Sequence, residues 1–119
     1  MLKKIVYSQA LNGKFPFREW LAELDSQTRA RIRARVILLG LGNAGDYRCI
    51  RGGLFEMRLH FGPGYRVYFG YDGKEIVLLL LGGDKSSQSE DIVKSFVYWR
   101  YYQERKSWKL PREFPTKKF

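Results

Sequence analysis

Apolar and polar side chains alternate most regularly in the middle of the chain. In residues 54–61 every second position is apolar, and Glu56, Arg58 and His60 occupy positions between them. Successive side chains of a β-strand point to opposite faces, so this pattern predicts a strand with one apolar and one polar face. Turn residues and apolar content predict further strands at residues 2–7, 47–50, 65–71 and 75–81. The last is apolar from Ile76 onwards, which predicts a central strand buried on both faces.

Apolar residues three and four positions apart predict three helices. The first has Pro16 in its first turn, and the second covers residues 28–41. The third is expected to start near Ser87, because Ser87 with Glu90 three residues later matches a capping box, and to end within residues 102–106. The large aromatic residues at core spacing in these helices are expected to pack inside the protein; they are Trp20, Phe96 and Trp99.

The order of these elements is strand, two helices, a run of strands, helix. It predicts an α+β fold, with a mostly antiparallel twisted sheet, an N-terminal helical hairpin and a C-terminal helix, all packed against one face of the sheet. Residues 1–106 are expected to form the single domain. Residues 107–119, which contain Pro111 and Pro115, are expected to form an irregular basic tail.

The charge of the chain narrows the range of partners. The sequence contains 22 Lys and Arg against 12 Asp and Glu, a formal net charge of +10. This excess exceeds what solubility requires and points to a polyanion: nucleic acid, an anionic membrane or an acidic protein. An ordinary basic surface is the alternative.

Cysteine and histidine are too few for a disulfide framework or a zinc site. Cys49 and His60 are the single representatives of their types. A lone thiol suits the reducing cytoplasm, where we expect the protein to reside. The longest apolar run is too short to cross a bilayer. Of the three kinds of polyanion, a membrane is not the partner that we expect. We expect neither a metal nor any other cofactor.

Three segments resemble the RelE/ParE superfamily of bacterial toxins: residues 54–59 (LFEMRL), 62–69 (GPGYRVYF) and 81–92 (LGGDKSSQSEDI). In combination they are similar to the addiction-module killer proteins, a subgroup related to the HigB-type toxins. The resemblance covers residues 2–105 and implies the α+β fold predicted above.

The resemblance implies a toxin of a type II toxin–antitoxin pair. RelE-like members cut mRNA on the ribosome without a metal and so inhibit translation, whereas ParE-like members poison DNA gyrase and catalyse nothing. The implied partners are the ribosome with its mRNA and a cognate antitoxin, often a helix-turn-helix protein. Two alternatives stay open: a gyrase-directed toxin and a non-enzymatic protein that binds nucleic acid or another partner. Fold alone does not separate them.

Metal-free RNA cleavage sets chemical requirements that the residues can be tested against. The ribose 2′-OH attacks the adjacent phosphorus, so the protein must position the phosphate, stabilise negative charge on its oxygens and help move protons. Arginine grips phosphate with two donors at once. If neighbouring strands turn their polar faces the same way, a cluster forms from Glu56, Arg58, His60, Arg66 and Tyr68.

The resemblance assigns catalytic roles to some of these positions. It implies that Arg58 contacts the substrate phosphate, that Arg66 stabilises the transition state and that Lys85 is a further basic residue of the site. Asp91 lies near the position where several members carry a catalytic Tyr or Asp. The chain departs from RelE itself, since Glu56 replaces a lysine and no tyrosine occupies position 91. The general base is therefore open, and His60 is a candidate because histidine exchanges protons near neutral pH.

A second group of residues is expected to bind RNA without taking part in the chemistry; it comprises Glu56, Tyr68, Gln88, Arg29 and Arg33. Tyr68 could stack on a base or simply cover the sheet. Gln88 could cap the last helix instead. The two arginines could neutralise phosphates of ribosomal RNA, or form the solvated face of their helix.

Overall fold

A five-stranded sheet lies at the centre of the computed structural model, which describes the backbone of residues 2–118 and the side chains of residues 2–106. The spatial order of the strands is β1-β5-β4-β3-β2. Strand β1 pairs with β5 in parallel and every other pair is antiparallel, as the mostly antiparallel prediction requires. The strands are β1 (Lys4–Tyr7), β2 (Tyr47–Arg51), β3 (Leu54–Leu59), β4 (Tyr65–Asp72) and β5 (Ile76–Gly83).

Three helices accompany the sheet, as predicted: α1 (Pro16–Ala22), α2 (Ser26–Gly40) and α3 (Gln88–Lys118). Pro16 lies in the first turn of α1, where its missing N–H costs nothing. A short 3₁₀ turn, Lys85–Ser87, leads into α3.

The predicted end of the last helix within residues 102–106 is wrong, because α3 continues to Lys118. Contacts at the predicted end hold the helix to the sheet: the Tyr102 hydroxyl donates a hydrogen bond to the Asp72 carboxylate, and Lys106 forms an ion pair with it. The expected irregular conformation of residues 107–119 is corrected at the same time, because 107–118 continue α3. The division of the chain into a domain at 1–106 and a basic tail stays a prediction.

Helices cover both faces of the sheet, not one face as the sequence predicted. Helices α1 and α2 enclose one core with the sheet, built from residues that include Phe17, Ile32, Leu39, Met57 and Val77. Helix α3 encloses a second core on the opposite face, built from Leu54, Tyr68, Leu78, Leu80 and Trp99. The reason is visible in β5, whose apolar residues point alternately to both faces and need cover on each.

Two strand glycines let a tryptophan approach from each helical layer. A Cβ on Gly82 would collide with the ring of Trp20 from α1, and a Cβ on Gly70 would lie 2.5 Å from Cζ3 of Trp99 from α3. The Trp99 Nε1 also donates to the carbonyl of Gly52 at 2.7 Å. Both tryptophans therefore serve packing, as predicted.

Within the described part of the chain, no helix combines the length and the apolar content needed to cross a membrane.

Candidate functional site

Strands β2, β3 and β4 place the polar residues of the sheet on the face covered by α3. In the β3–β4 register Glu56 lies opposite Tyr68, and Arg58 lies opposite Arg66. Directly opposite residues of an antiparallel pair point to the same side of the sheet. The prediction that the two polar faces coincide is therefore confirmed for these four residues. The β2–β3 register adds Arg48 opposite Glu56.

Glu56 lies at the centre of this face and is completely buried. Its carboxylate accepts hydrogen bonds from Arg48 Nε at 2.9 Å, Arg58 Nε at 3.3 Å, the Tyr68 hydroxyl at 3.1 Å and Gln88 Nε2 at 2.9 Å. Arg66 Nε lies 3.6 Å from the same carboxylate. A buried charge is tolerated when it is paired and hydrogen-bonded, as here. Glu56 therefore fixes the orientation of the arginines around it and is enclosed away from any RNA.

The pKa of Glu56 results from opposing effects. Burial raises it, but hydrogen bonds from Gln88 and Arg48 and the charge of Arg48 outweigh burial, so the pKa lies below the ordinary value of a glutamate. Burial and the neighbouring Glu56 raise the pKa of Tyr68 far above its ordinary value. At neutral pH Glu56 is thus an anion and Tyr68 a neutral donor. Tyr68 is completely buried, so its ring presents no face for stacking on a base.

Arg66 extends from the start of β4 and keeps unused hydrogen-bonding capacity. Its Nη1 donates to the carbonyl of Gly64 at 2.7 Å. Its Nε has no hydrogen-bond partner among the described residues, because the 3.6 Å separation from Glu56 suits an ion pair but exceeds a hydrogen bond. The side chain of Arg66 is 12% exposed and that of Arg58 is 35% exposed. Both guanidinium groups are held firmly and still reach the surface.

Lys85 joins Arg66 at the turn between β3 and β4. A Cβ on Gly64 would lie 3.2 Å from Arg66 Nη1 and 3.5 Å from the Cβ of Lys85, so the two residues flank this glycine. Lys85 is exposed. The structure therefore brings Arg58, Arg66 and Lys85 to the same end of the sheet, where their charges can act on one anion.

Asp91 is buried beneath the first turn of α3. It accepts a hydrogen bond from Ser87 Oγ at 2.5 Å, and a Cβ on Gly83 would collide with its carboxylate. Burial raises the pKa of Asp91, although the bond from Ser87 acts in the opposite direction. The predicted capping box of Ser87 and Glu90 is corrected here, because the Ser87 hydroxyl donates to Asp91 and the Ser87 N–H donates to the carbonyl of Asp84, so the reciprocal bonds with Glu90 are not formed. Gln88 likewise reaches Glu56, so its amide is a link between α3 and the sheet.

His60 lies just beyond β3 and is exposed. It makes no hydrogen bond to the arginines in the described region; its Nε2 lies 2.6 Å from Oδ2 of Asp46. The backbone of Asp46 is next to the arginine pair, because its carbonyl accepts a hydrogen bond from Arg58 N at 2.8 Å.

The two helix arginines lie on the opposite side of the sheet from this cluster and differ from each other. Arg29 Nη1 donates to the carbonyls of Leu24 at 2.9 Å and Ala22 at 3.3 Å, so it ties α2 to α1. Arg33 is exposed, and no acidic side chain of the described residues forms an ion pair with it.

Two residues of this region were not identified from the sequence, Arg48 and Asp46. Arg48 lies in β2 and Asp46 immediately precedes it. The pairing of β2 with β3 brings Arg48 beside Glu56 and Asp46 beside Arg58. The signal that could have found Arg48 is its place in a short strand before a Gly-Gly turn, which predicts a hairpin with β3. Asp46 carries no such signal. Among the described side chains, no three His, Cys, Asp or Glu residues are grouped so that they could hold a metal ion.

The family described as phage-derived protein Gp49-like (DUF891) matches residues 19–95 of the chain. The chain belongs to this family. The Gp49-like match includes all the site residues above, and the family is a toxin-like, addiction-module family related to the RelE-type toxins. An uncharacterised protein of Haemophilus influenzae is 44% identical over 77 residues, which are 64% of this chain and 78% of that protein.

Proposed function

We propose that this Gp49-like protein is the toxin of a type II toxin–antitoxin pair, of the HigB-like addiction-module subgroup, and that it cuts mRNA on the ribosome. The observation that carries the proposal is the convergence of Arg58, Arg66 and Lys85 at one end of the sheet, with both arginines anchored by a buried carboxylate. Such an arrangement suits recognition of a phosphodiester and is more than a protein-binding toxin would need.

The charges around Glu56 leave the cluster attractive to an anion. Glu56 forms ion pairs with three arginines, Arg48, Arg58 and Arg66, so this group of paired side chains carries a net positive charge before Lys85 is considered. The guanidinium groups are held in place before the substrate arrives. Little reorganisation is then needed when negative charge grows on the phosphate oxygens, which is the condition under which fixed charges accelerate a reaction most.

In the proposed reaction Arg58 and Lys85 hold the scissile phosphate in line with the neighbouring 2′-OH. The 2′-oxygen bonds to phosphorus while the bond from phosphorus to the 5′-oxygen breaks, giving a 2′,3′-cyclic phosphate and a free 5′-hydroxyl. Arg66 stabilises the extra charge on the phosphoryl oxygens in the transition state.

A cognate antitoxin and the ribosome with its mRNA are the partners of this function. The net charge of +10 favours an acidic segment in the antitoxin, and helix-turn-helix proteins commonly fill this role in related pairs. Co-expression of the product of the adjacent gene should restore growth if that product is the antitoxin.

The deciding experiment maps mRNA ends by primer extension after brief induction of the full-length chain in cells. We expect cuts within translated codons for the wild type, and a loss of about 100-fold or more in cut product for Arg66→Ala, since one oxyanion-stabilising group is removed. Lys85→Ala tests the same site at an exposed position where folding is not at risk. Lys74→Ala, in the exposed turn at the other end of β4, is the matched control and should cut normally.

The other outcomes identify the alternatives. Growth arrest with intact mRNA would reject the nuclease and point to a gyrase-directed toxin. Absence of both arrest and cleavage would leave a non-enzymatic binding protein. Cuts that persist in both Arg66→Ala and Lys85→Ala would show that the nuclease activity uses a different site.

A further inference from the structure

His60 and Asp46 form an exposed hydrogen-bonded pair beside the arginine cluster. The Nε2–Oδ2 distance is 2.6 Å, and the side chains are 73% and 50% exposed. Arg58 N donates a hydrogen bond to the carbonyl of Asp46, the residue immediately before β2. Asp46 therefore lies opposite Arg58. Arg58 is in turn opposite Arg66. Asp46, Arg58 and Arg66 therefore form a row across the sheet, and His60 lies at one end of it.

The pair determines which imidazole nitrogen is available. An ionised carboxylate only accepts hydrogen bonds, so the shared hydrogen belongs to Nε2. In the neutral ring the other nitrogen, Nδ1, then carries a lone pair, and none of the described residues donates to it. The exposed ring of His60 therefore presents Nδ1 as a proton acceptor beside the arginine cluster.

We propose that His60 is the general base of the proposed cleavage and that Asp46 is its positioning residue. The inference rests on the proposed function and adds the group that takes the proton of the 2′-OH. Among the described residues of this sheet face, His60 is the exposed one whose neutral side chain offers a donor nitrogen and a lone-pair nitrogen together.

The proton and electron balance of the step is complete without another reagent. Nδ1 of His60 takes the 2′-OH proton as the 2′-oxygen bonds to phosphorus. A water molecule protonates the departing 5′-oxygen, and the hydroxide formed takes the proton back from His60. Asp46 stabilises the positive ring that exists between these events and keeps Nδ1 in place.

Three other acidic and phenolic groups of the cluster are poorly placed for this role. Glu56 is enclosed and bound by its donors, and Asp91 is 7% exposed and bound by Ser87. Tyr68 is buried and donates to Glu56. Each would have to break existing bonds and reach the surface before it could contact a ribose.

The first test is spectroscopic and independent of RNA cleavage. The sequence contains one histidine, so the imidazole nitrogens of the full-length chain give one set of NMR signals. In the neutral ring, we expect the wild type to show the proton on Nε2. In Asp46→Ala the neutral ring should become a mixture of the Nε2–H and Nδ1–H tautomers, and Asp46→Glu should restore the single Nε2–H form. Glu75→Ala, an exposed acidic control at the opposite end of the sheet, should match the wild type. A wild-type ring that carries its proton on Nδ1 would overturn the proposal.

The second test measures cleavage with the same variants. His60→Ala should slow cleavage by about 100-fold or more, as expected for loss of a general base, and Asp46→Ala by a smaller factor of about 10-fold, with recovery in Asp46→Glu. Normal cleavage by both His60→Ala and Asp46→Ala, in a protein whose wild type cuts mRNA, would reject this inference and leave the proposed function intact. A wild type that cuts no mRNA would reject both.

Discussion

The Glu56 carboxylate is the common partner of most polar side chains in the site. This buried carboxylate would be costly alone, but two arginines, a phenol and an amide donate to it. Removing one member of a buried ion pair leaves the remaining charges uncompensated, and these costs exceed the net stabilisation from the pair itself. Here the uncompensated groups would be the arginines on which the proposed chemistry depends.

Glu56→Gln should therefore destabilise the protein by about 3 kcal/mol at neutral pH. Because the pKa of Glu56 is lowered by folding, its stabilisation is fully present above the unfolded-state value of ~4.3 and is lost as the pH falls through the lower folded-state value. Urea unfolding of both proteins at neutral pH and at several acidic pH values measures this difference.

The difference in unfolding free energy between wild type and Glu56→Gln should disappear at pH values below the folded-state pKa of Glu56. Glu23→Gln, an exposed residue at the end of α1, supplies the control and should follow the wild type throughout. A constant gap across the whole pH range would show that side-chain shape, and not charge, is what the site requires from position 56.

At the level of elements, α3 is attached to the sheet through a close contact between Trp99 and Gly70. The ring atoms Cζ3, Cη2 and Cε3 would lie 2.5, 2.7 and 2.8 Å from a Cβ on this glycine. Gln88, in the first turn of the same helix, donates a hydrogen bond to Glu56. A shift of α3 on the sheet would therefore also change the geometry of the site.

Gly70→Ala should push Trp99 out of its place and cost about 1–3 kcal/mol of stability, the usual penalty for overpacking a core. The same substitution in a Trp99→Phe background should cost less, because phenylalanine lacks the outer ring atoms that collide. Denaturant unfolding of the four proteins yields the coupling energy. Additive effects would contradict a direct clash between these residues.

For the whole molecule, positive charge is present on both sides of the sheet. The arginine cluster faces α3, whereas Arg33 projects from α2 on the other side without an acidic partner among the described residues. Under the proposed function, both surfaces are available to RNA phosphates. Arg29 differs, because its bonds to Ala22 and Leu24 give it a structural role.

Ribosome binding by the full-length chain should weaken steeply with salt, and Arg33→Ala should make the dependence shallower by about 0.7–0.9 in the slope of log K against log salt. Sedimentation with ribosomes at several salt concentrations measures the slope. The variant Lys74→Ala removes one exposed charge at the end of the sheet away from the cluster and should keep the wild-type slope. An unchanged slope for Arg33→Ala would assign it to the solvated face of α2.

Sequence periodicity determined much of the architecture and part of the site. The order of strands and helices, the α+β class and the double burial of β5 all follow from local patterns, because side-chain direction repeats every two residues in a strand and about every 3.6 in a helix. The same repeat put Glu56 and Arg58 on one face, and Arg66 with Tyr68 on the next, before any pairing was known.

Tertiary structure alone decided what lies over each face and which residues from distant segments meet there. Alternation shows which residues share a side of β3, but it does not show that α3 covers that side and buries Glu56. It also could not bring Asp46 to His60, since that contact depends on the register of β2 against β3. Burial and cross-strand contact arise from packing between elements far apart in the chain, and a local pattern carries no information on either.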